Sequence, residues 1–197
     1  MGEGWGIREA VGGSPGGLRR PERTGVDLAE YRWSDDQSPF GGEATGPNPT
    51  DRGKQGTKRS LLTEGQGIPL AVVVAGANRH DMKLLADTLE AVVVERPQPA
   101  EEKPQNLCGD KGYDYPDSRQ EAVLHQYVPH IRSRGEERQE KQDNPGYRAR
   151  RWVVEVCHSW LNRFRKILVR FEKNLATHLG LLQFACAYIV LKRAGSF

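Results

Sequence analysis

Thirteen of the 22 glycines and five of the 12 prolines in this 197-residue chain fall within its first 56 positions, and that crowding limits the fold more than any other feature. A segment so poor in aliphatic side chains cannot bury enough apolar area to offset the entropy of ordering its backbone. Residues 1–40 are therefore expected to be a flexible N-terminal segment, and the core must come from residues beyond it. The remaining length suffices for one sizeable core, not two.

The character changes near Lys58. "KRSLLTEGQGIPLAVVVAGA" holds two strand-like runs, Ser60 to Thr63 and Pro69 to Ala75, with Gly65 and Gly67 between them as hairpin signals. "RHDMKLLADTLEAVVVER" then places apolar residues at 82, 84, 85, 89, 92 and 93, a helical spacing, with Asp81 expected to cap the helix. A proline-rich linker runs from Pro97 to Pro104. After it come a short strand at "QNLCGD", a helix at "PDSRQEAVLHQ" with Asp117 as expected N-cap, and a strand at "YVPHIRS". Residues 135–146 read as a charged surface loop. A long helix is predicted from Ala149 to Lys173 and a last one from Ala176 to Lys192. Together these elements predict an α/β fold, a mixed sheet flanked by helices.

The net charge of +3 is unevenly spread. Arg148, Arg150, Arg151, Arg163, Arg165, Lys166, Arg170 and Lys173 face only Glu155 and Glu172 between Tyr147 and Lys173. Such a basic surface suits a polyanion such as nucleic acid; the plain alternative is a solvated helix face. "TDRGKQGTKRS" has basic residues beside glycines and reads equally as a phosphate-contacting or a solvated loop. The three cysteines form no CxxC pair, so neither a disulfide framework nor a structural zinc site is indicated. The N-terminus lacks the apolar run of a signal peptide, and Leu179 to Leu191 is short for a bilayer span. No membrane partner and a cytoplasmic location are expected.

Asp110 in "LCGDKGYD" stands where a strand runs out, the end at which ligands collect in open α/β sheets. On the predicted long helix, Trp152, Val153, Val156, Trp160, Phe164, Ile167 and Phe171 gather into one stripe at about 100 degrees per residue. Glu155 falls on the other side with His158, Asn162 and Lys166. It is either one half of a solvated i,i+4 pair with Arg151 or an acid that converges with Asp110. Converging carboxylates bind Mg²⁺ through oxygen, and two such ions can serve phosphodiester chemistry. Cys157 and His158 read as packing or surface residues.

Three long blocks, "GGEATGPNPTDRGKQGTKRSLLTEGQGIPLAVVVAGANRHD", "LCGDKGYD" and "RRWVVEVCHSWLNRFRKILVRFEK", resemble DDE transposases of bacterial insertion sequences. The resemblance implies an RNase H-like catalytic domain over residues 41–193, a fold shared with retroviral integrases. Asp110, Gly112 and Tyr113 match the family's Asp-x-Gly-Tyr motif, and Glu155 with Arg151 matches its catalytic Glu and the Arg four residues earlier. Tyr147 lies one residue farther from Arg151 than the pattern asks. Asn162 stands where a Lys is usual, with Arg163 and Lys166 as substitutes. The family's first Asp lies some nine residues before the segment matching Gly41. Asp35 and Asp36 are the candidates here, closer to Gly41 than the pattern sets, and Asp36 is taken as the third acid.

By resemblance, Asp110, Glu155 and Asp36 would hold Mg²⁺ or Mn²⁺ for metal-dependent strand cleavage and strand transfer at transposon ends. Arg151, Arg163, Arg165 and Lys166 would contact DNA, both the terminal inverted repeats and the target, and the protein would act on nucleoid DNA as a homo-oligomer. The helical DNA-binding segment of full-length relatives is missing from the N-terminal third, which implies a truncated or frame-disrupted copy. The rival reading is accordingly a catalytically inactive remnant that at most binds DNA. A third is an RNase H-like nuclease without strand transfer.

Overall fold

The computed structural model describes residues 28–131 and 152–195, with 139, 142 and 143 between them. Among the described residues six strands form one mixed sheet: β1 (Leu28–Gln37), β2 (Gly46–Pro47), β3 (Gln55–Glu64), β4 (Pro69–Gly76), β5 (Asn106–Gly109) and β6 (Val128–Ile131). Their order is β2-β3-β1-β5-β6, with β4 also paired to β3. β3 is antiparallel to β1, β2 and β4, whereas β5 is parallel to β1 and β6. The helices described over their whole length are α1 (Met82–Glu90), α2 (Pro116–Leu124), α3 (Trp152–Leu161), the single turn α4 (Arg165–Leu168) and α5 (Leu175–Arg193).

β3 explains why helices cover both faces. Its adjacent Leu61 and Leu62 point to opposite sides of the pleat, yet both are 0% exposed. Leu62 joins Leu85 and Leu89 of α1 and Ala122 of α2, together with Leu107 and Tyr113. Leu61 joins Val154, Cys157 and Leu161 of α3 and Leu182, Ala185 and Ile189 of α5. α5 is long and apolar enough to cross a membrane by length and composition, and here one side of it lies on this second core.

Five expectations are corrected. The flexible segment expected over 1–40 includes β1, which is bonded along both edges, by β3 and β5; residues 1–27 lie outside the described residues. β1 is held by ladder hydrogen bonds that composition does not reveal. The helix expected over 149–173 stops at Leu161, resumes for the one turn of α4, and becomes extended at Val169 (φ −133, ψ 128). The break lets Arg170 N–H donate to Gln37 C=O at 2.9 Å and carries its side chain into the interior at 0% exposure. Asp117 lies in the first turn of α2, with Tyr115 as cap residue and Pro116 pre-setting the helical φ. Asp81 makes no capping bond at α1; its carboxylate goes to Lys58 Nζ. Of the loop predicted over 135–146, residues 139, 142 and 143 are helical instead, and the others lie outside the described residues.

His178 of α5 is 0% exposed. Burial, with the positive charge of Arg170 adding and Glu172 opposing, pulls its pKa from 6.5 down to about 4. A base with a depressed folded pKa stabilises the fold fully above its unfolded pKa, and that contribution is lost as pH falls from about 6.5 to about 4. Chemical denaturation across this window is expected to show stability dropping with pH, and His178→Gln is expected to flatten the slope.

Candidate active site

Asp110 is the first residue past β5. Lys111–Tyr113 follow as a single 3-10 turn, closed by the Tyr113 N–H donating to Asp110 C=O at 2.9 Å. Tyr113 is 1% exposed, so its ring anchors the turn and leaves Asp110 half-buried at the rim of the sheet. Gly109 allows the close packing beneath, since a Cβ there would stand 3.2 Å from Ile131 Cγ1.

β1 and β5 pair with Tyr31 opposite Gly109, so the β1 position level with Asp110 is residue 32, an arginine. Residue 32 pairs with Leu61 on its other edge, and Asp36 pairs with Thr57. Asp36 lies farther along β1 than residue 32, on the face that Leu61 turns toward α3 and α5. Four residues separate them, a distance of ~13 Å along the strand. Asp36 thus lies well beyond the level of Asp110.

The Asp36 carboxylate is 5% exposed and gripped through both oxygens by Arg59, from Nε at 2.6 Å and Nη2 at 2.7 Å. Nη2 also donates to Asn162 Oδ1 at 2.9 Å, which ties β1 and β3 to the chain just after α3. Burial pushes the Asp36 carboxyl up to about 7, against the pull of Arg59. Asp35 points to the opposite face. Burial raises its pKa too, with Lys58 lowering it and Asp81 raising it. Lys58 Nζ also donates to Arg79 C=O at 2.9 Å. Asp81 Oδ2 comes within 3.7 Å of where a Cβ on Gly112 would stand, so the Lys58–Asp81 pair abuts the turn that follows Asp110.

Glu155 is exposed on α3, beside Val154 and near Cys157 of the core. α3 packs on β1 and β3. Its first turn touches the β3–β4 hairpin, with Val153 C=O 3.1 Å from a would-be Cβ on Gly67. Its far end meets Arg59 at Asn162. Glu155 is two residues from the first contact and seven from the second, about 3 Å and about 10 Å along a helix axis. It therefore lies away from the end of β1 that carries Asp36. The predicted exposed row of Glu155 with His158 does not form, because His158 is 7% exposed and turned inward.

Among the expected DNA contacts, Arg163, Arg165 and Lys166 are exposed; Lys166 Nζ lies 3.8 Å from Glu172 Oε1. Arg151 lies outside the described residues. Arg170, part of the same basic run, is an interior residue instead. Its guanidinium donates to Thr57 Oγ1 at 2.9 Å and Glu172 C=O at 2.8 Å. In "TDRGKQGTKRS", Arg52 and Lys54 lie on an exposed turn while Lys58 and Arg59 are buried and paired. Sequence reasoning missed the inward roles of Arg59 and Arg170. The available signal was a pair of cations at the head of an apolar strand, which must find partners if that strand is interior.

Residues 21–190 match the family described as Transposase DDE domain. The chain belongs to the DDE transposases. It is also similar to a Burkholderia cepacia protein described as a transposase for insertion sequence element IS402, at 33% identity over 184 residues, covering 89% of this chain and 85% of the relative. DDE transposases as a family use divalent metal, and three converging acids are the donor set that chemistry asks for. Among the described residues no three His, Cys, Asp or Glu side chains form a group able to hold an ion. With both Asp36 oxygens engaged by Arg59, the residues present do not fit a three-carboxylate cation site that includes Asp36.

Removing one partner of a buried ion pair strands the other charge. Arg59→Met is expected to destabilise the fold by about 3–5 kcal/mol in urea titrations. The double variant Asp36→Leu, Arg59→Met is expected to recover most of that loss. A double variant no more stable than Arg59→Met would show that the pair is not the source.

Proposed function

We propose that this chain is the RNase H-like domain of an insertion-sequence transposase, running from β1 to α5. It would bind the element's terminal inverted repeats and target DNA and act on nucleoid DNA in the cytoplasm. The reaction it serves is phosphoryl transfer on DNA: water attacks a phosphodiester at the element's end, and the freed 3′-hydroxyl then attacks target DNA. Asp110 and Glu155 are the proposed acids at the reacting phosphate. The observation that carries this reading is the placement of Asp110 at the carboxyl end of β5, directly beside β1, in a member of this family. Exposed Arg163, Arg165 and Lys166 would grip the phosphate backbone, whose contacts position DNA without reading its sequence.

One observation favours a second reading, a domain that binds DNA but does not turn over. The β1 position level with Asp110 carries Arg32, and Asp36 is neutralised by Arg59. Two carboxylates without a third hold hard cations weakly.

The two readings separate in a cleavage assay on DNA bearing the element's terminal repeats, with Mg²⁺ or Mn²⁺ supplied. Under the first, strand cleavage occurs and is lost in Asp110→Ala and in Glu155→Ala, while duplex binding persists. Cleavage that survives Asp110→Ala would remove that acid from the site. Binding without any cleavage selects the second reading. In that case Arg32→Asp is expected to raise Mn²⁺ affinity at least tenfold by calorimetry. No gain would place the missing acid elsewhere.

A further inference from the structure

Phe40 and Phe171 are 63% and 51% exposed, yet their rings touch, with centroids 5.8 Å apart and planes tilted by 49°. Aromatic rings left in water forgo the burial that usually stabilises them, and these two sit on a braced frame. Gly41 N–H donates to Ser38 C=O at 2.9 Å, closing the turn that carries Phe40. Arg170 N–H to Gln37 C=O and Glu43 N–H to Lys173 C=O, both 2.9 Å, stitch that turn to the segment carrying Phe171. Gly42, at φ +123, packs so tightly on this segment that a Cβ would lie 2.5 Å from Lys173 C=O. The buried Arg170 guanidinium braces the frame from below.

The chain on either side of Phe171 is rich in cations. Arg163, Arg165, Lys166 and Lys173 are exposed. Of the nearby acids, Asp51 pairs with Lys54 at 3.3 Å and accepts from Gln37 Nε2 at 3.2 Å, Glu43 accepts the Leu175 N–H at 2.8 Å, and Glu172 is only 12% exposed at its side chain, facing Lys166 and His178. An aromatic surface among cations suits an unstacked base with its phosphates. A base inside a duplex already has both faces covered and gains nothing from such rings.

We propose that the Phe40–Phe171 pair is a stacking platform for an unpaired nucleotide of the DNA held by the adjacent basic segment. This rests on the DNA-binding reading above and adds a place for a frayed, overhanging or flipped base. Gln37, where this frame joins β1, lies five residues past the level of Asp110, ~16 Å along the strand. The nucleotide stacked there flanks the reacting phosphate and is not the one that reacts.

The test uses the full chain and two labelled DNAs: a blunt duplex, and the same duplex with a three-nucleotide 3′ overhang carrying 2-aminopurine. The overhang is expected to bind about tenfold tighter, with its fluorescence quenched. Phe40→Ala and Phe171→Ala are each expected to weaken overhang binding roughly tenfold, the scale of one base–aromatic stack, and to leave blunt-duplex binding unchanged. Phe171→Trp should retain the preference and Phe171→Leu lose it, with unchanged melting temperatures reporting an intact fold. Equal loss on both DNAs, or no quenching with the wild-type chain, overturns the platform while leaving DNA binding in place. Failure to bind either DNA defeats the DNA-binding reading itself.

Discussion

β1 is the seam of the molecule, and its hydrogen bonds set everything near the candidate site. On one edge it pairs antiparallel with β3, on the other parallel with β5. That double pairing fixes which β1 residue lies level with Asp110 and puts Asp35 and Asp36 on opposite faces of the sheet. A slip of one residue would turn every β1 side chain to the opposite face. The neighbourhood of Asp110 thus depends on backbone register, which the chemistry of nearby side chains only inherits.

Two interior arginines then commit much of the remaining polar chemistry. Arg59 occupies Asp36 and reaches Asn162, and Arg170 bonds Thr57 and the backbone around Glu172. A buried guanidinium left unpaired is very costly, so each draws oxygen acceptors toward itself. The consequences are structural as well as electrostatic. Arg170 holds the chain extended after α4 and brings Phe171 out to solvent next to Phe40. The expected apolar stripe accordingly ends early: Ile167 is buried, whereas Phe171 is half in water.

The hairpin of β3 and β4, α1, the strand before Asp110 and α5 were all legible in the sequence, because each repeats apolar residues at the period of its own element. β1 was missed although Ala29, Tyr31 and Trp33 alternate with Glu30, Arg32 and Ser34, because it follows a glycine- and proline-rich stretch and its order comes from two neighbouring strands. The break between Leu161 and Arg165 was equally hidden, for no glycine or proline marks it. At the candidate site, Asp110 could be placed from local pattern alone, at the end of a strand and ahead of a glycine. The surroundings of Asp36 could not, because its partner Arg59 is 23 residues away.

By itself the sequence determined the family, through three ordered blocks, and the mixed α/β character, through short-range periodicity that needs no knowledge of distant contacts. Tertiary structure alone decided that Arg32 stands level with Asp110, that Asp36 is spent on Arg59, and that Phe40 meets Phe171. The reason is that strand register and buried charge pairing join residues far apart in the chain, and no local pattern encodes which of them will meet.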